Sequence, residues 1–401
     1  MSGLGALRRL GVLVLALACA SGQAAVGPEP IRIGVSGPFT GDSSPMGLAM
    51  REGVRTAAAR INAQGGVLGR RIELVERDDE GRSEVGASVA QTLIRRDKVV
   101  ATIGMINTGV ALASQRYYQH ARIPVMTAVA TGTLLTRQFM PPEYGENYVF
   151  RVSCPDALQA TMIVDEAVGR RRFRKLAIFH DTTNYGQFGR QDLELALERR
   201  GLKPVAIERF SPGEMDLRPQ IEHARAAGAE AILSYGVGAD LARIANSAAR
   251  IRWRVPLIGS WALAMSSFIE AAGPNSEGAR MPLTWLPQSD RPASLAFREA
   301  LADRLGRLPL GSPQAAAQGH DSLLLLVAAM RQAGGTDGRH VRAALEDLGQ
   351  PVDGALMRYR QPFSPGDHEA IKSNRMVYIG EIRKGVVDYA YEADRHRSQE
   401  Q

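Results

Sequence analysis

Two turns rich in small and hydroxyl residues, Gly104 to Thr108 and Thr127 to Thr131, close the apolar runs Val99 to Ile103 and Pro124 to Met126, with one helical stretch between them. The first turn of a helix leaves its N–H groups without intrahelical partners, and the helix dipole favours negative charge there. Such a turn can hold a carboxylate or a phosphate. In an open parallel sheet the two strand ends would open into one crevice, where ligands of this architecture sit. The chemistry suggested is non-covalent capture of an anion.

Residues that could do covalent chemistry form no matching constellation. His120, His180, His223, His320, His340, His368 and His396 show no metal-ligand spacing, and Gly319-His320-Asp321-Ser322 is not a nucleophile elbow. Cys154 stands beside Pro155 with no histidine motif to activate it, so it is expected as a small buried residue. Asp78 and Asp79 are expected as loop and hinge hydrogen-bond acceptors, and Asp181 as a turn or cap residue. No phosphate-cradling glycine motif appears. No catalysis, cofactor or metal is expected.

The elements that position the crevice repeat in order. Ile31 to Val35 reads as a strand, and Ser44-Pro45 starts a helix that reaches Asn62 with Met50, Val54, Ala57, Ala58 and Ile61 on one stripe. Ile72 to Val75 is the next strand and Ser83 to Arg96 the next helix. After an extended segment at Tyr148 to Val152, the same rhythm restarts with strands at Leu176 to Phe179, Val205 to Ile207, Ala231 to Ser234 and Leu257-Ile258. Alternating strands and helices predict parallel sheets covered on both faces. Three helical stretches from Pro292 to Leu348 have too few strands among them for a third domain, so they are expected to pack back on the first lobe. The expected fold is α/β, with two doubly wound parallel-sheet lobes joined by a multi-stranded hinge. The first lobe takes 27–148 and 283–355, the second 149–282 and 356–391, and 392–401 is a frayed tail.

The totals agree with an exported globular protein. The 401 residues are 45% hydrophobic and 23% charged, with a net charge of +7, values that argue against disorder and against a multi-pass membrane protein. The basic run Arg170 to Lys175 is expected as a solvated loop, and no nucleic acid partner is expected. Arg8-Arg9 precede the apolar run Leu10 to Ala18, with an A-x-A site at Ala18-Cys19-Ala20. That layout predicts a secretory signal over 1–25 and a periplasmic location. Lipid anchoring at Cys19 is the alternative, disfavoured because Ala16 stands where a leucine is usual.

Several motifs then fall in a familiar order: Gly34 to Gly41 after the first strand, the turn Ile61 to Gly69, Asp78-Asp79, Ile103-Gly104 with Thr108, Ile123-Pro124-Val125 before Ala130-Thr131, and Asn184-Tyr185-Gly186. In these the chain resembles the type I periplasmic binding proteins of the branched-chain amino acid importer family. The resemblance implies a monomeric solute receptor whose lobes close on a small carboxylate ligand and which docks on a membrane ABC permease. It implies that Thr108 holds the carboxylate with Ile106 beside it, and that Val129, Ala130 and Thr131 contact the head group. By position Met46 lines the pocket where a tyrosine is common, and Tyr185 covers the ligand from the second lobe.

Two departures matter. The cysteine pair of some members is missing, with Asn107 at one of its positions. Trp261 stands where amino acid binders tend to place an acid for the ligand's ammonium. A cation–π contact contributes about 0.5–2 kcal/mol, whereas a buried charge without its partner costs roughly 3–5 kcal/mol. The ligand is therefore expected to be a branched-chain or hydrophobic amino acid or an aromatic carboxylate, with Trp261 favouring the latter. An exported ligand sensor and a binder of an amide-type ligand are the alternatives.

Overall fold

A computed structural model describes residues 28–306 and 310–400. The expected signal segment and Cys19 lie outside them. Strands β1 (Ile31–Gly37), β2 (Ile72–Asp78), β3 (Ala101–Gly104), β4 (Val125–Thr127) and β5 (Val149–Arg151) form one parallel sheet in the order β2-β1-β3-β4-β5. A second sheet is built on β6 (Leu176–Asp181), β7 (Ala206–Phe210), β8 (Ala231–Tyr235), β9 (Leu257–Gly259) and β10 (Arg280–Leu283). A short hairpin follows, β11 (Val352–Asp353) with β12 (Arg358–Tyr359). Finally β13 (Tyr378–Arg383) and β14 (Val386–Tyr389) extend the second sheet in antiparallel sense, giving β14-β13-β10-β9-β8-β6-β7.

Sequence explains the placement of these strands. Every residue of β6 and β8 is buried, as apolar strands covered by helices on both faces must be. β7 lies at the sheet edge and alternates buried Ala206 and Phe210 with exposed Ile207 and Arg209. In each sheet the strand order reverses once, between β1 and β3 and between β6 and β8. Those reversals are where the segments after the strands splay apart and leave a crevice.

The helix Pro313–Ala333 packs on the helix Ser44–Ala63, as expected of the late helices. Their contact depends on glycine: a Cβ on Gly53 would lie 1.8 Å from the Ala316 carbonyl oxygen, and one on Gly319 would lie 2.4 Å from the Met50 carbonyl oxygen. Gly53→Ala is therefore expected to destabilise the fold by about 1–3 kcal/mol, because overpacking outweighs the roughly 1 kcal/mol gained in helix propensity. Urea unfolding of the variant checks this, and a more stable variant would contradict it.

Three details differ from the sequence expectation. β5 hydrogen-bonds to β4, so the chain leaves the first sheet after Arg151 and not at 148. The return to the second sheet comes later than 355, since Ala355 N–H (2.7 Å), Leu356 N–H (2.9 Å) and the Tyr359 hydroxyl (3.0 Å) all donate to buried Asp321. Residues 368–370 still bond to β5, through Arg151 N–H to the His368 carbonyl and Ala370 N–H to the Arg151 carbonyl. The tail expected to fray is a helix, Glu392–Glu400. Its polar composition hides two tethers: buried Asp394 accepts the Ile379 N–H at 3.0 Å, and Arg397 donates to the Val377 carbonyl at 2.8 Å.

Candidate ligand-binding cleft

Between the lobes lies a cleft of about 600 Å3, lined from both sheets at the carboxyl ends of their strands. Met46, from the start of the Ser44–Ala63 helix, and Ile106, Thr108, Val129 and Thr131, from the segments after β3 and β4, form one wall. Tyr185, after β6, and Trp261, after β9, form the other. A wider hollow of about 850 Å3 around Arg252 and Trp253 belongs to one lobe and lies at the beginnings of β8 and β9, the end of a parallel sheet where ligands are not held.

Ala130 is the sequence-expected residue that the cleft does not use. Its N–H donates to the Met105 carbonyl at 3.0 Å, and its carbonyl accepts the Ser153 hydroxyl at 2.7 Å. In an extended segment neighbouring residues face opposite ways, so Val129 and Thr131 reach the cleft while Ala130 faces the core.

The local structure explains which polar groups face inward. Thr108 opens the helix Thr108–Ala121, but the residue in the cap position is Asn107 and its side chain caps nothing. The Asn107 amide instead donates to the Ser43 hydroxyl at 3.0 Å. Consequently Thr108 Oγ1 and Asn107 Oδ1 are buried with no hydrogen-bond partner. Gly132 lets the two loops meet, since a Cβ there would lie 2.5 Å from Thr108 Cγ2. Opposite, the helix Asn184–Glu198 is capped by Thr183, whose N–H (2.9 Å) and hydroxyl both donate to Asp181. Asp181 is thus a cap-supporting residue, and burial holds its carboxyl above the ordinary range. Tyr185 sets its ring edge-on to Tyr235 at 5.4 Å. Its hydroxyl, Ser260 Oγ and Trp261 Nε1 are likewise buried without partners. Burial pushes the Tyr185 hydroxyl well up, so it remains a neutral donor.

The charged residues of the cleft are partly committed to one another. Asp240 accepts Arg243 at 2.6 Å and the Gly213 N–H at 3.1 Å, and Arg243 also donates to the Glu214 carbonyl. Asp78 accepts from Phe39 N–H (2.9 Å), Thr40 (2.7 Å) and Glu80 N–H (2.8 Å). Asp79 accepts Ser36 at 2.9 Å, and burial raises its pKa to about 6. Cys154 is buried, and burial pushes its thiol up, which disfavours the thiolate a nucleophile needs. Among the described residues no cluster has the makings of a metal site.

Two groups escaped the sequence reading. Arg151 is fully buried; its guanidinium reaches Glu369 through Nε (2.7 Å) and Nη2 (2.5 Å) and donates to the Gly132 carbonyl at 2.7 Å. Glu369 also accepts the Thr136 hydroxyl. This pair ties a late crossing of the chain to the loop that carries Thr131. The one signal was an arginine inside an otherwise apolar strand, Val149-Phe150-Arg151-Val152. Thr133 donates to Asp192 of the second lobe at 2.7 Å and accepts the Ala157 N–H at 2.9 Å. Nothing in its sequence surroundings marked it.

Comparison with known proteins fits this geometry. A family model described as periplasmic binding protein matches residues 30–385. An amino acid binding protein of Pseudomonas aeruginosa is 31% identical over 231 residues, 58% of this chain and 60% of the relative, so that match spans less than two thirds of the relative's length. A Leu/Ile/Val-binding protein homologue of Brucella melitensis is 25% identical across 85% of this chain and 90% of its own. A type 1 periplasmic binding protein from Bordetella pertussis superposes with a TM-score of 0.81 at 25% identity, over 90% of this chain and 99% of its own. A solute-binding protein of an ABC transporter from Rhodopseudomonas palustris, solved with 3,4-dihydroxybenzoic acid, shares the fold with a TM-score of 0.76 at 19% identity, over 90% and 96% of the two chains. With its two parallel-sheet lobes and the cleft between them, the chain belongs to the type I periplasmic binding protein family.

Proposed function

We propose that this protein is the extracytoplasmic solute-binding component of an ABC importer, and that its ligand is a small carboxylate with an apolar or aromatic body. The observation that carries the reading is the group of four buried polar atoms, Thr108 Oγ1, Asn107 Oδ1, Tyr185 OH and Trp261 Nε1, on residues that line one cleft and without partners there. A buried polar group left unpaired costs about 1–3 kcal/mol. Hydroxyls and an indole N–H that converge from two lobes are satisfied together by a ligand that closes the lobes on itself. Thr108 and Thr131 take the carboxylate, Tyr185 and Trp261 cover the body, and Met46, Ile106 and Val129 form the apolar floor. The closed form is then the state a membrane permease reads, by a shift of the open–closed equilibrium and without covalent change.

The aromatic body follows from Trp261, which offers a flat ring and one donor where an ammonium would need an acid. The Leu/Ile/Val relative and the dihydroxybenzoate-bound neighbour show that names and ligands of both kinds occur among similar proteins, so Trp261 carries the choice. A thermal-shift screen of the mature protein against branched-chain amino acids, aromatic acids and their amides tests the reading. A ligand at about 100 times its Kd should stabilise by roughly 2.7 kcal/mol. Aromatic acids are expected to shift the transition more than leucine or isoleucine; the reverse order would overturn the assignment of Trp261. Trp261→Glu is expected to exchange the preference, with affinity for leucine rising about tenfold or more, an ion pair's worth of about 1.5–3 kcal/mol. The signal-like segment Arg8 to Ala20 supports a periplasmic location for this activity.

A further inference from the structure

Behind the Thr131 wall lies Asp156, the first residue of the helix Asp156–Val164. Its N–H donates to the Thr131 carbonyl at 2.8 Å, and its own carbonyl accepts the Tyr235 hydroxyl at 3.3 Å. The carboxyl is poorly served by comparison. Oδ1 accepts one amide N–H, from Gln159 at 3.2 Å, and Oδ2 is buried without a partner. The whole residue is 0% exposed.

Burial outweighs the groups that favour the charged form of this carboxyl, which are the Thr131 and Tyr235 hydroxyls and one cation, Arg151. Arg151, on β5, is bound to Glu369 and the Gly132 carbonyl. Asp192, on the Asn184–Glu198 helix, is a second acid facing it, held by Thr133. Tyr185, Tyr235 and Cys154 are buried neutral groups that feel its charge. The hydroxyl of Thr131, a cleft residue, is beside it. Burial, with Asp192 adding to it, raises the Asp156 pKa to about 8. An unpaired oxygen on a neutral acid can carry the proton and donate, whereas on an anion it could only repel a second carboxylate.

We propose that Asp156 is a specificity-determining residue of the cleft, which as the neutral acid supports the Thr131 and Tyr185 hydroxyls against a ligand carboxylate and when ionised repels that ligand. The inference rests on the carboxylate reading given above. Below pH 8 the acid is already protonated and capture changes no protons. Above pH 8 capture must take up one proton, so affinity falls with rising pH, by up to about tenfold per unit. A ligand ammonium would do the opposite, by drawing a proton off Asp156 and binding better as pH rises through 8.

Calorimetric titration of benzoate and of leucine between pH 6.5 and 9.5 tests this with the whole mature protein, since neither carboxylate titrates in that range. Benzoate affinity is expected to be flat to about pH 8 and to fall at least fivefold by pH 9.5, with proton uptake seen as a buffer-dependent enthalpy. Asp156→Asn is expected to bind benzoate with a flat pH profile and without the buffer-dependent enthalpy. A flat profile in the wild type, or the same slope in Asp156→Asn, would overturn the proposal. Leucine bound in preference to benzoate, with affinity rising through pH 8, would also overturn it, since Asp156 would then be serving as an anion. If neither compound binds at any pH, the carboxylate reading itself falls and the proposal with it. The wild-type proton count stands on its own should the asparagine variant fail to fold.

Discussion

Replacing Thr108 by valine is expected to leave the ligand-free protein as stable as before and to remove nearly all of the ligand-induced thermal shift. The two halves of this expectation come from one fact: the Thr108 hydroxyl is buried and bonds to nothing in the protein. Valine keeps the shape and removes an unpaired polar atom, so the helix Thr108–Ala121, which Thr108 does not cap through its side chain, loses nothing. The ligand, however, loses a charge-assisted hydrogen bond of about 1.5–3 kcal/mol. If affinity drops about 100-fold, a ligand concentration that stabilised the wild type by roughly 2.7 kcal/mol stabilises the variant by about 0.4 kcal/mol. Differential scanning fluorimetry with and without a carboxylate ligand reads both halves. A retained shift would remove Thr108 from the site. A fall in ligand-free stability of more than about 1 kcal/mol would make the hydroxyl a structural group after all.

Arg151→Met is expected to cost about 3–5 kcal/mol of folding stability, the usual result of removing one partner from a buried ion pair. Arg151 is fully buried and Glu369 nearly so, and the two side chains meet through two parallel bonds. Methionine fills much of the volume but leaves Glu369 with only the Thr136 hydroxyl and leaves the Gly132 carbonyl without its donor. The double variant Arg151→Met with Glu369→Met should recover a large part of that loss, because two apolar groups in place of a buried pair are often neutral. Urea unfolding of the two single variants and the double one measures the coupling. Single variants within about 1 kcal/mol of the wild type would show that the pair does not hold the hinge. Because Gly132 follows Thr131, the single variant is also expected to weaken ligand binding beyond its effect on stability.

How much of this was legible beforehand depends on how far apart the interacting residues lie in the chain. The strands and helices were readable because their signals are local: continuous apolar runs for buried parallel strands, a Ser-Pro start for the Ser44–Ala63 helix, and glycine at its end. The cleft was readable for a related reason. Residues that follow the carboxyl ends of parallel strands face one crevice whatever the distant packing, so the turns ending in Thr108 and Thr131 could be named from their place after a strand, whereas Tyr185 and Trp261 were named through the family resemblance. The tail helix was missed because its anchors, Asp394 to β13 and Arg397 to Val377, are long-range bonds made by residues that look solvated.

What the sequence determined by itself is therefore the alternation of elements, the two-lobed parallel-sheet architecture, and a hydroxyl-lined pair of strand ends suited to a carboxylate. Only the tertiary structure decided which polar groups remain unsatisfied at the cleft. Ala130 faces the core because its N–H and carbonyl bond to Met105 and Ser153, while Thr131 beside it faces the cleft. Arg151 finds Glu369 218 positions later, and Asp156 is left behind Thr131 with an unpaired oxygen. Period and propensity act over a few residues, whereas the pairing of buried charges is settled by which distant segments the fold brings into contact.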